Sequence, residues 1–576
     1  MTQNNLVKRS KNTAASTTAR LATIRALSHY LPFVAAFWLF APGIDAGNQQ
    51  PSQGNKLNNA AEQKNMNLVG TNDAQARSIY QPSVHHYANG RYILFAGHHA
   101  LGTNPVTGQQ LPSFNPLTGK NEPNGTSIID VTDPANPVYL FHIPVGTPVT
   151  PPALPTAGGA QYDNRICDGS TLPIHDSKVY LLRSFSNSAH EIWDVTNPSN
   201  PVGVRTVAGG NPVIGSLAGT HKSWWECDTG IAYIVGRRST DTAGGWKSGN
   251  HVLIMDLGHP ASPVFLRDWA LNGQQPGGVI PPNFNAVPSI HGPISTGPST
   301  ALTGNSPNPI SGTGATLDRV YFPYGTSSNG VMQVVDRTKL LPPPWGTGAT
   351  CGSISDTLAA PSCATADFTT AEIGRWVMNP INGAHSSYPL GKIAIPDFAP
   401  NALGTVRDFV VVTSEETNNE CTGPRHLTYM VDVSEFTITA TGATVSHPQS
   451  QANFQVPEED GEFCDRGGRF GPHSTQEEFG PPFYQKILFV AYFNAGVRAI
   501  DVRDPFNPAE VGFYIPATTA NTDYRCKTND PATCKIAIQT NNLATDDREY
   551  IYIADRANTG VHILRLSGSA KNIIGP

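Results

Sequence analysis

The segment TSIIDVTDPANPVYLFHI, residues 126–143, reads as two β-strands joined by a tight turn. Its apolar, β-branched start suits a strand buried between neighbouring sheets. Where that strand stops, the carboxylate of Asp130 and the hydroxyl of Thr132 can bond to the turn backbone. Pro134 fixes φ inside the turn. Pro137, three residues on, opens an outer strand at a place where a missing N–H is tolerated.

The unit recurs along the chain as HEIWDVTNPSNPVGVRTV, VLIMDLGHPASPVFLRDW and VRAIDVRDPFNPAEVGFYI, with degenerate copies in MQVVDRTKL and TYMVDVSEF. The equivalent aspartates are Asp130, Asp194, Asp256, Asp336, Asp432 and Asp501. A further copy, GVHILRL, aligns by Gly560 and places Arg565 in the aspartate slot. The first proline of the turn is Pro134, Pro198, Pro260 or Pro505, and the second is Pro137, Pro201, Pro263 or Pro508. Upstream of each copy stands another short apolar strand: RYILFAG, KVYLLRS, IAYIVGR, RVYFPYG, DFVVVTS, KILFVAY and YIYIADR.

Short strands at a repeating spacing of 62 to 96 residues, with no helical periodicity between them, predict an all-β, seven-bladed β-propeller with four-stranded antiparallel blades. The 54 Gly and 49 Pro among 576 residues agree, because so many turn formers exclude long helices. Polar insertions at 147–159, 272–288, 298–314 and 341–370 belong on loop faces. Residues 66–74, MNLVGTNDA, precede the first complete unit and match the outer strand that the seventh unit lacks, so the ring is expected to be closed by an N-terminal strand.

The expected organisation is a signal peptide at 1–46, a flexible N-terminal linker at 47–65, the propeller at 66–567 and a C-terminal tail at 568–576. The signal rests on Lys8, Arg9, Lys11, Arg20 and Arg25, which lead into the apolar run at 31–44 and the small residues Ala46 and Gly47. That run is too short to span a bilayer, so no transmembrane span is expected in the mature chain. Eight cysteines without CxxC spacing favour disulfides over a metal site and agree with a periplasmic or secreted location. Cys351 and Cys363, and Cys526 and Cys534, are near enough to pair; Cys167, Cys227, Cys421 and Cys464 remain open. With 38 basic against 44 acidic residues and 14% charged, a nucleic-acid partner is excluded.

The motif IIDVTDPANPV and its copies resemble the LVIVD repeat of exported bacterial β-propeller proteins, over roughly residues 66–567. That resemblance implies an envelope or extracellular propeller and assigns no activity.

Chemistry must therefore come from the residues themselves. Ahead of the second strand of four successive units stand THKSWWECDTG, IHGPISTG, AHSSYPLG and PHSTQEEFG, which place His221, His291, His385 and His473 at nearly equivalent positions. In a propeller these positions face the central channel. Imidazoles meeting there suit one transition metal, iron, copper or zinc. Carotenoid cleavage oxygenases, propellers that hold iron through four axial histidines, offer an analogy without a sequence match. A repeated histidine can equally donate to a neighbouring blade's carbonyl and carry no chemistry, and the third reading is a polar funnel that binds an anionic or sugar-like ligand.

Glu226, Glu477 and Glu478, close along the chain to His221 and His473, are candidates to orient imidazoles or accept protons. The first unit offers His85 and His86, slightly out of step, while Asp168 and Asn541 are candidates for the remaining slots. Trp224 and Trp225 are candidates to stack a planar ligand. His98 and His99 are expected at the surface, and Asp546 and Asp547 at a turn. Nucleophile-elbow, phosphate-loop, zinc-protease and calcium-loop motifs are absent from the sequence.

Two functions follow, the first preferred and the second its alternative. The preferred one is an exported binding protein that presents a loop face to an envelope or extracellular polymer or protein. The other is a metal-dependent oxidoreductase using the histidine cluster on a small-molecule substrate.

Overall fold

The computed structural model describes residues 60–99, 106, 114–145, 163–185, 189–207, 214, 217–238, 240–247, 249–280, 288–299, 315–350, 365–395, 405–434, 436–438 and 444–575. The expected signal segment, the Cys351–Cys363 pair and most of the predicted insertions lie outside these residues.

The repeated unit folds as the sequence predicts. In the first sheet Ile79–His86, Tyr92–His98, Gly125–Asp130 and Val138–Pro144 pair antiparallel in that order. The next sheets are Asn164–Asp168 to Val202–Thr206, Ser223–Trp225 to Val264–Trp269, Ile294–Ser295 to Glu372–Val377, and Ser386–Ala394 to Gln449–Phe454. Phe470–Thr475 to Ala509–Ile515 and Thr540–Thr545 to Gly560–Leu566 follow, joined by one residue pair, Phe493 with Thr540.

Each second strand is an unbroken apolar run because both of its faces are covered. Tyr92–His98 and Ile487–Phe493 are buried at every position. The repeated aspartates end the third strands as Asx turns. Asp130 accepts from the Thr132 amide at 2.9 Å, Asp194 from Thr196 at 3.0 Å, Asp336 from Thr338 at 3.0 Å and Asp432 from Ser434 at 2.8 Å. A bulge recurs one turn earlier, at Ile128/Ile129, Ile192/Trp193, Ile254/Met255 and Ala499/Ile500, and adds twist between third and fourth strands.

The first strand of each sheet is the inner one. Ile79–His86 touches Asn164–Asp168, which touches Ser223–Trp225; Ile294–Ser295 touches Ser386–Ala394, which touches Phe470–Thr475; that strand touches Thr540–Thr545, which returns to Ile79–His86. His221 and His291 bridge the remaining step. Inner strands meeting in a circuit, with sheets radiating outward, make a β-propeller. Apolar side chains between adjacent sheets form the core, including Tyr233, Phe322, Tyr388, Val411 and Tyr492.

Met66–Asn72 lies antiparallel to Gly560–Leu566, as the outermost strand of the last sheet, where the sequence places it. The expected linker and tail differ from expectation. The linker expected to be flexible contains a strand, Glu62–Lys64, on the open edge of Ala509–Ile515, where unpaired backbone groups are available. The expected tail folds as a helix, Gly568–Ile574, because Ala570 and Ile574 are buried against a cluster containing Met66 and Ile487.

Disulfides join Cys167 to Cys227, Cys421 to Cys464 and Cys526 to Cys534. The first ties two neighbouring inner strands together. The third is a pairing the spacing predicts. Among the described residues no helix is long and apolar enough to cross a membrane.

Candidate metal centre

His221, His291 and His385 stand just before the starts of successive inner strands and His473 lies within the next, Phe470–Thr475, and the circuit of those strands brings the imidazoles together. The Nε2 atoms of His221 and His291 lie 2.7 Å apart. The ring centroids of His291 and His385 are separated by 3.7 Å, and those of His385 and His473 by 4.2 Å. The Tyr80 hydroxyl reaches His221 Nε2 at 3.1 Å.

Hydrogen bonding sets the tautomer of His473. Its Nδ1 lies 2.7 Å from the Asn541 backbone carbonyl, which can only accept, so Nδ1 carries the proton and Nε2 presents a lone pair. That lone pair faces Glu415, with Oε1 at 3.7 Å. His385 Nε2 stands 3.8 Å from the other oxygen of the same carboxylate, and both of its ring nitrogens lack a hydrogen-bond partner. The ligand atoms of His385, Glu415 and His473 all fall within 4.8 Å of one another. Lone pairs aimed at a common point repel unless a proton or a cation sits between them.

Burial keeps these rings neutral. It pushes His291, His385 and His473 well below the ordinary histidine value, and neighbouring cationic groups add to the effect. His221 falls to about 3 through burial, then Lys222 and Arg556. Neutral imidazole is the form that ligates a metal.

One step along the same strands polar groups of opposite sign are paired. Lys222 pairs with Glu477. Arg165 Nη2 lies 2.7 Å from Glu477 Oε2, and Arg165 Nε 3.2 Å from Asp163 Oδ2. Burial alone would raise the Glu477 carboxyl, but Arg165 and Lys222 hold it at about 2. Glu477 therefore anchors cations between the inner strands. Glu478 differs: burial and the charge of Glu477 raise it to about 7. It lines two adjoining cavities, one of about 160 Å³ with His85, Arg165, Trp224 and Trp225, the other of about 320 Å³ with His86, Tyr92 and Asp547.

No family model and no curated protein sequence matches this chain. Among solved structures it is similar to the β-propeller domain of Cps50 (Swd1) from Myceliophteria thermophila, at 9% identity over 88% of this chain and 100% of that one, TM-score 0.38. It is also similar to Sqt1 of Saccharomyces cerevisiae, at 8% identity over 87% and 99% of the two chains, TM-score 0.37.

Other candidates from the sequence are placed elsewhere. Glu226 orients no imidazole: its carboxylate is taken by Arg337 at 2.6 Å, Thr229 at 2.6 Å, Ser295 at 2.5 Å and Tyr233 at 3.0 Å, which pin neighbouring sheets together. Asp168 holds His85 at 3.0 Å, and His86 stacks on Tyr92 with centroids 4.1 Å apart, so neither residue joins the cluster. Trp224 is covered by Arg165, 5.0 Å from its ring centroid, and Trp225 packs in a core cluster. Asn541 does reach the cluster, through its backbone carbonyl.

His98 is buried against Ser127, not at the surface, and His99 packs edge-on to Tyr80 with centroids 5.0 Å apart. Asp546 caps its turn through the amides of Arg548 and Tyr550, as expected. Tyr80 and Glu415 were not singled out from the sequence. Tyr80 reaches the cluster from the first inner strand, where the sequence pointed to His85 and His86. Glu415 follows a second strand, where no histidine marks the repeat.

Proposed function

We propose that the chain is an exported, seven-bladed propeller of the LVIVD-repeat kind, closed by its Met66–Asn72 strand. It binds one iron, copper or zinc ion through His221, His291, His385 and His473, with Glu415 as an oxygen ligand, and works as a metal-dependent oxidoreductase on a small molecule. The observation that carries this reading is the bare Nε2 of His473 and the partnerless His385, both facing one carboxylate. Other buried histidines leave one ring nitrogen without a partner; among the described residues His385 leaves both. Imidazole with one carboxylate suits iron, copper and zinc. Iron or copper held there would exchange electrons with a ligand bound beside it, whereas zinc, which has no redox chemistry, would only polarise it. The disulfides and the basic-then-apolar N-terminal sequence support export.

Elemental analysis of the purified protein tests the centre. About one equivalent of a transition metal per chain is expected, lost in His291→Ala and His385→Ala. A protein that carries no metal, takes up none from iron, copper or zinc salts and keeps full stability overturns it. The binding-protein reading then stands, with its contacts on a loop face.

A further inference from the structure

Beside the imidazoles, on the side away from Lys222 and Glu477, three arginines gather and one of them, Arg556, has no counter-ion among the described residues. The ring of Phe493 lies 5.2 Å from that of His473, and two guanidinium groups flank it: Arg469 at 5.3 Å and Arg556 at 6.0 Å from its centroid. Arg525 joins them by donating from Nη2 to the Arg556 carbonyl at 2.9 Å.

The neighbouring carboxylates are already engaged. Arg469 holds Glu415 at 2.6 Å, and Arg525 holds Asp523 at 3.3 Å. Asp555, next in sequence to Arg556, accepts from the backbone amides of Gln539 and Ala557. Among the described residues the Arg556 guanidinium makes no hydrogen bond and no ion pair. Arginine keeps its proton at neutral pH, so this is an unmatched charge. Burial and the repulsion of Arg469 and Arg525 both disfavour it, as the lowered proton affinity of Arg556 reflects.

A partly buried cation with five free donors and two cationic neighbours is what a planar, charge-assisted fork presents to an oxyanion. Glu415 sharpens the point. A metal ligated by that carboxylate would compete with Arg469 for it, releasing a second guanidinium toward the same place.

We propose that Arg556, with Arg525 and Arg469, captures the carboxylate or other oxyanion group of a small ligand and holds it beside the imidazole cluster. This assigns a charge class to the ligand of the proposed metal centre and rests on that reading only for the ligand's role. The anion site itself does not need the metal, which separates the two tests.

Inorganic phosphate and acetate, each titrated calorimetrically at low ionic strength into the metal-free full-length chain, probe it. At least one should bind wild type with one-to-one stoichiometry. Arg556→Gln should weaken that binding at least tenfold, and Arg556→Lys should weaken it less, because the charge survives while the fork is lost. Arg525→Gln, expected to weaken binding by a smaller factor, serves if Arg556→Gln fails to fold. Metal content of the same proteins after loading should be unchanged. If neither anion binds wild type, or if Arg556→Gln binds as wild type does, the proposal is overturned whatever the metal analysis gives.

Discussion

Two layers of the propeller axis, neighbours along the same inner strands, bury polar side chains by opposite rules. In one, Lys222, Arg165, Glu477 and Asp163 form a chain of ion pairs in which each charge meets its counter-charge. In the other, four neutral imidazoles crowd together, His221 against His291 and both His385 and His473 with ring nitrogens toward a single carboxylate. The first layer is what a fold needs to hold inner strands apart in register. The second is a set of donors that gains nothing from being together unless something else arrives. Satisfied burial marks structure, and unsatisfied burial marks a site.

The sharpest way to break this comparison is to unmatch the matched layer. Glu477→Ala leaves Lys222 and Arg165 buried without their counter-ion and should destabilise the protein by about 3–5 kcal/mol in denaturant unfolding. Next is Glu478, whose folded-state value of about 7 lies above its ordinary one. A raised acid binds its proton more tightly in the folded chain, so stability is lost as pH rises from about 4.5 to 7. Glu478→Gln should therefore stabilise the protein by about 2 kcal/mol at pH 8, after allowance for partial exposure, and change little at pH 4.

The imidazole layer should respond with the opposite sign. Its histidines are depressed, so the unfolded chain binds protons first as pH falls below about 6.5. Each neutral histidine then withdraws about 1.4 kcal/mol of stability per pH unit until its own lowered value is reached, near 3 for His221. Unfolding curves at pH 7, 6 and 5 measure the slope, and metal release should fall in the same window. The smallest effect is the most diagnostic. In metal-free protein His385→Leu should change stability by less than about 1 kcal/mol, since no hydrogen bond is lost. In metal-loaded protein the same substitution should remove the ion.

Much of this was legible before any coordinates. The aspartate-to-proline unit fixes three strands of each sheet, because an Asx turn and a proline are local signals that survive duplication. The histidines were legible for the same reason, as a repeated residue at a repeated place. Tyr80 was not, because a tyrosine among repeated histidines leaves no mark in the repeat. Glu415 and Arg556 were hidden more deeply. Each follows a second strand, where the repeat carries no marker, and only the circuit of inner strands reveals what they face. Glu226 misled in the other direction: nearness along the chain to His221 says nothing about which side of a strand a carboxylate takes.

The pairing of Met66–Asn72 with Gly560–Leu566 joins two strands that the whole propeller separates along the chain. A chain that lacks either strand cannot complete the last sheet. The partner edge then stays open for pairing with other chains, and deleting either strand should promote aggregation.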